Sequence, residues 1–209
     1  IAPAIKGMSA LNQSEVDQRM IELDGTENKS RLGANAILGA SMAVANAAAI
    51  SSGQPLFEYL GNGKGTLLPL PEIQLIGGGA HAAWRTDIQD FLLMAVGAKT
   101  YAETLEMTFN VYHTAGRLLK ERGTLAGIAD EGGYWPSFSS HKDILDFVVE
   151  SIETAGYEPG KDLAISLDIA ASDFFDSEKG MYRLSLDNAE YTPEAFIELQ
   201  QQWCEDYPI

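Results

Sequence analysis

Apolar positions early in the chain recur at helical spacing. Val16, Met20 and Leu23 share one face, Ser14 stands as a cap with Asp17 in the capping-box position, and Gly25 is a stop, so a short amphipathic helix is predicted. Ala34 to Ser51, ended by Gly53, predicts a second helix whose alanines allow close approach of a neighbour. After Gly61-Asn62-Gly63-Lys64-Gly65 the pattern changes, and strands begin to alternate with helices. Leu67 to Ile76 and Phe91 to Val96 read as strands. A helix follows, capped at Thr100 with Glu103, carrying Leu105, Phe109 and Tyr112 as its core stripe and ended by Gly123. Ala126 to Ala129 is a short strand. The next helix starts at Ser140, with Asp143 in the box position and Ile144, Val148 and Ile152 facing inward. Ala164 to Ile169 reads as a strand and Tyr182 to Leu186 as a hairpin arm, and Thr192-Pro193 opens a last helix bearing Phe196, Leu199 and Trp203.

The glycine-rich break divides the chain into a helical segment, residues 1–63, and an α/β segment, residues 64–209. The second is too short for a full eight-unit β/α barrel, which takes about 250 residues, and reads as its first half. An open doubly wound sheet is the alternative, but no GxGxxG or GxxxxGK[ST] run follows a strand. Ile1 is not an initiator methionine, and Tyr207-Pro208-Ile209 resembles the lead-in to a further element, so both ends read as internal.

Composition narrows the partners. Hydrophobic residues at 45% and charged residues at 21% are those of a folded globular protein. A formal charge of −16 repels nucleic acid and anionic membranes, although a bound divalent cation reverses the local field and admits an anionic substrate. The lone Cys204 closes no disulfide within the chain, which fits a reducing, cytoplasmic setting. Asn35, Ser41 and Asn46 interrupt the apolar run of the second helix, which reads as packed and not as a membrane span.

In β/α barrels the reacting groups sit just past the C-terminal ends of strands. Three places qualify. In Gly77-Gly78-Gly79-Ala80-His81-Ala82 the glycines allow a ligand close to the backbone and His81 can bind an oxyanion; a plain glycine turn is the alternative. Ile128-Ala129-Asp130-Glu131-Gly132-Gly133 sets adjacent carboxylates between a strand and a glycine pair, either as an acidic turn in water or as groups whose pKa values are driven apart for proton transfer. In Ser166-Leu167-Asp168-Ile169 a carboxylate interrupts an apolar strand, where burial would demand a salt bridge or a metal. Gln89-Asp90 before Phe91 is a fourth polar pair and could simply mark a strand entry.

These segments, in this order, resemble enolase, the phosphopyruvate hydratase family of glycolysis. Asp24-Gly25-Thr26, Asn28-Lys29-Ser30 and Gly33-Ala34-Asn35-Ala36-Ile37-Leu38-Gly39 are similar to the end of its α+β N-terminal capping domain, and the later segments to the first part of its barrel. The resemblance implies a lyase interconverting 2-phosphoglycerate and phosphoenolpyruvate with magnesium, as a homodimer. It makes Asp168 a Mg²⁺ ligand, Glu131 the general acid that helps hydroxide leave and Asp90 a second catalytic carboxylate, and sets His81, Gln89 and Asp90 against the substrate. The family's base, a lysine, and its remaining metal carboxylates follow the tyrosine-proline-isoleucine segment at which this chain stops.

Several positions depart from the family pattern. Asp90 stands where a Gln-Glu-Phe motif usually has glutamate, Ala129 replaces the glycine before Asp-Glu-Gly-Gly, and Gln74, Gly77, Ala83, Trp84 and Arg85 replace an asparagine-rich segment. Two further readings follow. An inward Arg85 could pair with an additional anionic group, as a relative acting like carboxyphosphonoenolpyruvate synthase would require, whereas an Arg85 on the surface would not. Alternatively the chain is a truncated, non-catalytic binding protein, in which case an open half-barrel would expose strand edges and associate with something.

Overall fold

The computed structural model describes all residues, 1–209, and the chain forms two compact units, Ile1–Leu67 and Leu68–Ile209.

The first unit is helical: α1 (Ala2–Ile5), α2 (Gln13–Asp24), α3 (Ala34–Ser51) and α4 (Leu56–Gly61). Its core is small, with Val16 and Met20 of α2 against Ile37 of α3. Gln13 adds a polar tie by donating to the backbone and hydroxyl oxygens of Ser41. By length and composition α3 could cross a membrane. This polar tie, and Ala45, Ala48 and Ala49 buried within the unit, fit a packed helix. Ser14 is not a cap, because α2 begins one residue before it, at Gln13, with Asn12 as N-cap. Gly25 does end the helix, in the left-handed conformation. Just beyond, Asp24 organises the loop: its carboxylate accepts from the Thr26 hydroxyl and from the backbone of Thr26 and Leu32. The Thr26 hydroxyl is the main reason the Asp24 carboxyl titrates below its ordinary value, aided by the backbone donors and against the cost of burial.

The second unit is built on a five-stranded mixed sheet in the order β3-β4-β1-β2-β5. The strands are β1 (Ile73–Gly77), β2 (Asp90–Met94), β3 (Leu125–Ile128), β4 (Tyr134–Pro136) and β5 (Ala164–Asp168). No helix longer than one turn separates β1 from β2, so the two pair antiparallel; β2 and β5 are antiparallel as well, and β1 and β4 parallel. Simple strand-helix alternation therefore begins only after β2, with α5 (Tyr101–Arg122) and α6 (His141–Thr154).

Both helices start where their caps predict. Thr100 and Glu103 form a reciprocal capping box, and the Ser140 hydroxyl accepts from the Asp143 N–H. α5 packs on α6 and on β1, β2 and β3, and Leu75, Phe91, Leu93, Val111, Leu119, Ile144 and Val148 fill the space between. A second layer follows β5: a three-stranded antiparallel sheet of β6 (Phe175–Asp176), β7 (Met181–Leu184) and β8 (Ala189–Tyr191), with α7 (Pro193–Asp206) laid on it so that Phe196 stacks on Tyr182.

Three sequence expectations are corrected. The strand predicted over Leu67 to Ile76 starts only at Ile73. Pro69 and Pro71 each lack a ladder donor, and Leu67 is left 90% exposed. On α5 the buried stripe is Thr104, Thr108, Val111, Ala115 and Leu119, whereas Leu105 and Phe109 are exposed, Phe109 at 61%. The two threonines are buried at little cost because each hydroxyl donates to the carbonyl one turn back. Asp168, expected to be buried, is exposed at the open end of edge strand β5, so burial does not demand a partner for it.

Candidate active site

The predicted site residues lie at the ends of β1, β2, β3 and β5. Because β2 runs antiparallel to its neighbours, its first residue, Asp90, stands beside the last residues of β1 and β5: it pairs with Gly77 on one side and Asp168 on the other. The strand order thus gathers residues far apart in sequence. The loop after β3, Ala129–Gly133, reaches the same place because β4, which it feeds, pairs with β1.

Asp90 is the buried carboxylate of the group, 4% exposed. A charge so placed needs donors, and two side-chain amides supply them. Gln74 donates to one oxygen of Asp90, and Gln89 donates to the other at 3.2 Å. Each amide reaches a second carboxylate: Gln89 donates to Asp168 at 3.2 Å and Gln74 to Glu131 at 3.3 Å. Glu131, Asp90 and Asp168 are therefore strung on two amides. The second oxygen of Asp168 accepts from the Ala170 N–H at 3.1 Å, which turns the chain out of β5.

His81 lies on a short 3-10 turn, Gly79–Ala82, with Nε2 3.8 Å from Glu131 and Nδ1 3.8 Å from Asp130. These separations are long for hydrogen bonds but close enough for a protonated imidazole to attract both carboxylates. The turn is held by the Gly78 and Gly79 N–H groups, which donate to the carbonyls of Gln89 and Thr86. A Cβ on Gly78 would stand 2.0 Å from the Ile88 carbonyl oxygen, so only glycine lets these segments meet. Beyond the turn, Ala83 and Trp84 both take positive φ, a conformation uncommon outside glycine and asparagine. Strain of this kind concentrates at functional loops.

The Asp130–Gly133 loop is fixed from behind. Tyr112 stacks on Tyr134 with ring centroids 4.4 Å apart and donates to the Gly132 carbonyl at 2.6 Å. Tyr134 packs where α5 has Gly116, leaving no room there for a Cβ. Burial and the Tyr112 contact both push the Tyr134 phenol above its ordinary value, so it stays neutral.

Arg85 is not directed inward. It is exposed, donates to the Ser137 hydroxyl at 2.9 Å and lies over the Trp135 ring at 5.4 Å, so the surface alternative holds. The sequence marks Gln74 only as a departure from a family pattern, yet it touches two of the carboxylates; a buried amide on a strand has no motif to mark it.

These residues do not by themselves make a metal centre. No group of three or more His, Cys, Asp or Glu side chains converges at metal distance. Asp168 offers a hard oxygen to solvent, the kind of ligand magnesium takes, but that ion needs six oxygens in near-octahedral order. One carboxylate supplies too few.

Comparison with known proteins identifies the family. The family described as "Enolase, C-terminal TIM barrel domain" matches residues 65–209, and "Enolase, N-terminal domain" matches residues 1–60. The chain is 49% identical to Enolase 1 of Desulfitobacterium hafniense over 210 residues, and 45% identical to the enolase of Bifidobacterium adolescentis over 209 residues. In each case all of this chain but 48% of the relative is aligned, so the chain spans about half the length of the curated relatives it matches. With both family domains matched in order across nearly every residue, the chain belongs to the enolase family.

Proposed function

We propose that the chain forms part of an enolase-type lyase that interconverts 2-phosphoglycerate and phosphoenolpyruvate. The observation that carries this reading is the string of Glu131, Asp90 and Asp168 joined by Gln74 and Gln89 beside His81. In this reading Glu131 is the general acid. It delivers a proton to the departing hydroxyl, for which its partial exposure and freedom on one oxygen suit it. His81 faces the substrate, and Asp90 and Gln89 hold the polar floor beneath it. Asp168 would be one ligand of a magnesium ion whose chemistry, when bound, is to stabilise the enolate charge. Its remaining ligands, and the base that removes the proton beside the carboxylate, lie outside these residues.

The outward Arg85 favours this substrate over one with an extra anionic group. A cytoplasmic homodimer is the setting we propose, and Cys204, exposed and unpaired, accords with a reducing compartment.

The acid role is testable in a protein spanning the relatives' full length. Glu131→Gln should lower phosphoenolpyruvate formation by about 10²–10⁴-fold, the usual worth of a positioned acid. Exchange of the substrate's C2 proton with solvent should persist, since it precedes loss of hydroxide. Loss of both together would remove Glu131 from the acid role.

A further inference from the structure

Gln74 uses both ends of its side-chain amide, with Asp90 and Glu131 at one end and the Gly133 N–H at the other. It is 7% exposed, on β1, where pairing with β2 slips by one residue between Gln74 and Ile76. Such a bulge re-aims a side chain. Its orientation is fixed by chemistry: the Gly133 N–H donates at 2.7 Å to Oε1, which must therefore be the carbonyl oxygen. Nε2 is then the donor, and it serves Asp90 and Glu131 together.

The backbone around it is cut to this side chain. A Cβ on Gly133 would stand 2.6 Å from Oε1 and 2.8 Å from Cγ of Gln74; one on Gly77 would stand 3.2 Å from Nε2 and 2.5 Å from the Ala129 Cβ. Gln74 thus threads between β1 and the loop that carries Glu131. It joins that loop, through Gly133, to Asp90, which Gln89 in turn joins to Asp168.

We infer that Gln74 is a positioning residue: it sets the distance and direction of the Glu131 carboxyl relative to Asp90, and its length is matched to the short side chain of Asp90. The inference rests on the reading of Glu131 as the acid. An asparagine at 74 would fall one methylene short of Asp90, and a glutamate at 90 would return that methylene from the other side. The two changes should compensate each other in part, through the Asp90 contact, and the compensation should appear in kcat and not only in stability.

The test is a double-mutant cycle in a protein spanning the relatives' full length, with 2-phosphoglycerate and magnesium. Gln74→Asn is expected to lower kcat by about 10–100-fold, as a misplacement of about 1 Å does, with KM changed by less than about threefold. Q74N/D90E should recover at least about tenfold of that loss. If Q74N does not accumulate as folded protein, Gln74→Met, similar in length and without a donor, is compared instead and should show the same fall in kcat. A kcat within about twofold of the parent in Q74N or Gln74→Met overturns the inference. So does a double variant no better than Q74N. If the parent protein makes no phosphoenolpyruvate, the reading of the site itself fails and the inference goes with it, an outcome distinct from an active parent indifferent to position 74.

Discussion

At the scale of single residues, the best-defined electrostatic feature away from the candidate site is His141. It is fully buried at the start of α6, with Nδ1 2.6 Å from Asp187 and Nε2 3.6 Å from Asp87. Asp187 also accepts from the His141 backbone N–H, and Asp87 from that of Leu186. Together they tie the segment after the His81 turn to α6 and to the β7–β8 connection. Burial raises the Asp187 carboxyl pKa, but the hydrogen bonds and charge of His141 outweigh it and the net shift is downward. A carboxylate whose folded pKa is depressed contributes stability that is complete above its unfolded value, about 3.9, and is lost as pH falls through the lower folded value. Asp187→Asn should therefore lower the melting temperature at neutral pH and flatten its fall below about pH 4. Melts from pH 7 to pH 2 check this, and an unchanged acid slope would show that Asp187 carries none of the dependence.

His81, Gln89, Asp90, Glu131 and Asp168 are legible in the sequence through their order and family pattern. Geometry brings them to one end of the sheet. An apolar run alone predicts a buried Asp168, but Asp168 is the last residue of β5 and is exposed at the strand's open end, whereas Ile165 on the same strand is buried. Asp90 is the carboxylate that burial makes costly. Its look as a plain strand entry hid this, because sequence does not tell which neighbour flanks a strand's first residue.

At the scale of elements, caps are the most legible signals, Ser14 excepted. Thr100 with Glu103, Ser140 with Asp143, and Thr192 before Pro193 each stand at the start of a helix. These are local hydrogen bonds, independent of tertiary contacts, so short sequence suffices to find them. Thr100→Ala removes the acceptor for the Glu103 N–H and should cost about 1 kcal/mol. Chemical denaturation reads this as a lower midpoint with an unchanged slope. A loss below about 0.3 kcal/mol would mean that water replaces the cap fully.

Burial faces were less legible. Leu105 and Phe109 outrank Thr104 and Thr108 in hydrophobicity, yet the threonines are buried and the two apolar residues exposed. Their hydroxyls are satisfied within the helix, so period and polarity alone pointed to the wrong side of α5. The same limit applies to β1. Apolar Leu67, Leu68 and Leu70 extend the pattern, while prolines at 69 and 71 prevent the ladder from following it.

At the scale of the molecule, the sheet is open, with β3 and β5 at its edges, and Asp168 sits on one of them. A metal bound there has one protein carboxylate, so the 209-residue chain by itself should bind magnesium only weakly and turn over no 2-phosphoglycerate. The proposed acid, Glu131, and the amide-linked carboxylates are here, whereas enough ligands for a cation are not. The relatives that the chain matches are about twice this length.

The most direct measurement is the appearance of phosphoenolpyruvate absorbance when a protein spanning the relatives' full length meets 2-phosphoglycerate and magnesium. Steady turnover in the ordinary enzyme range of about 1–10³ s⁻¹, abolished by a chelator and restored by added magnesium, is the predicted result. Folded protein that yields no phosphoenolpyruvate at saturating substrate and metal would contradict the account.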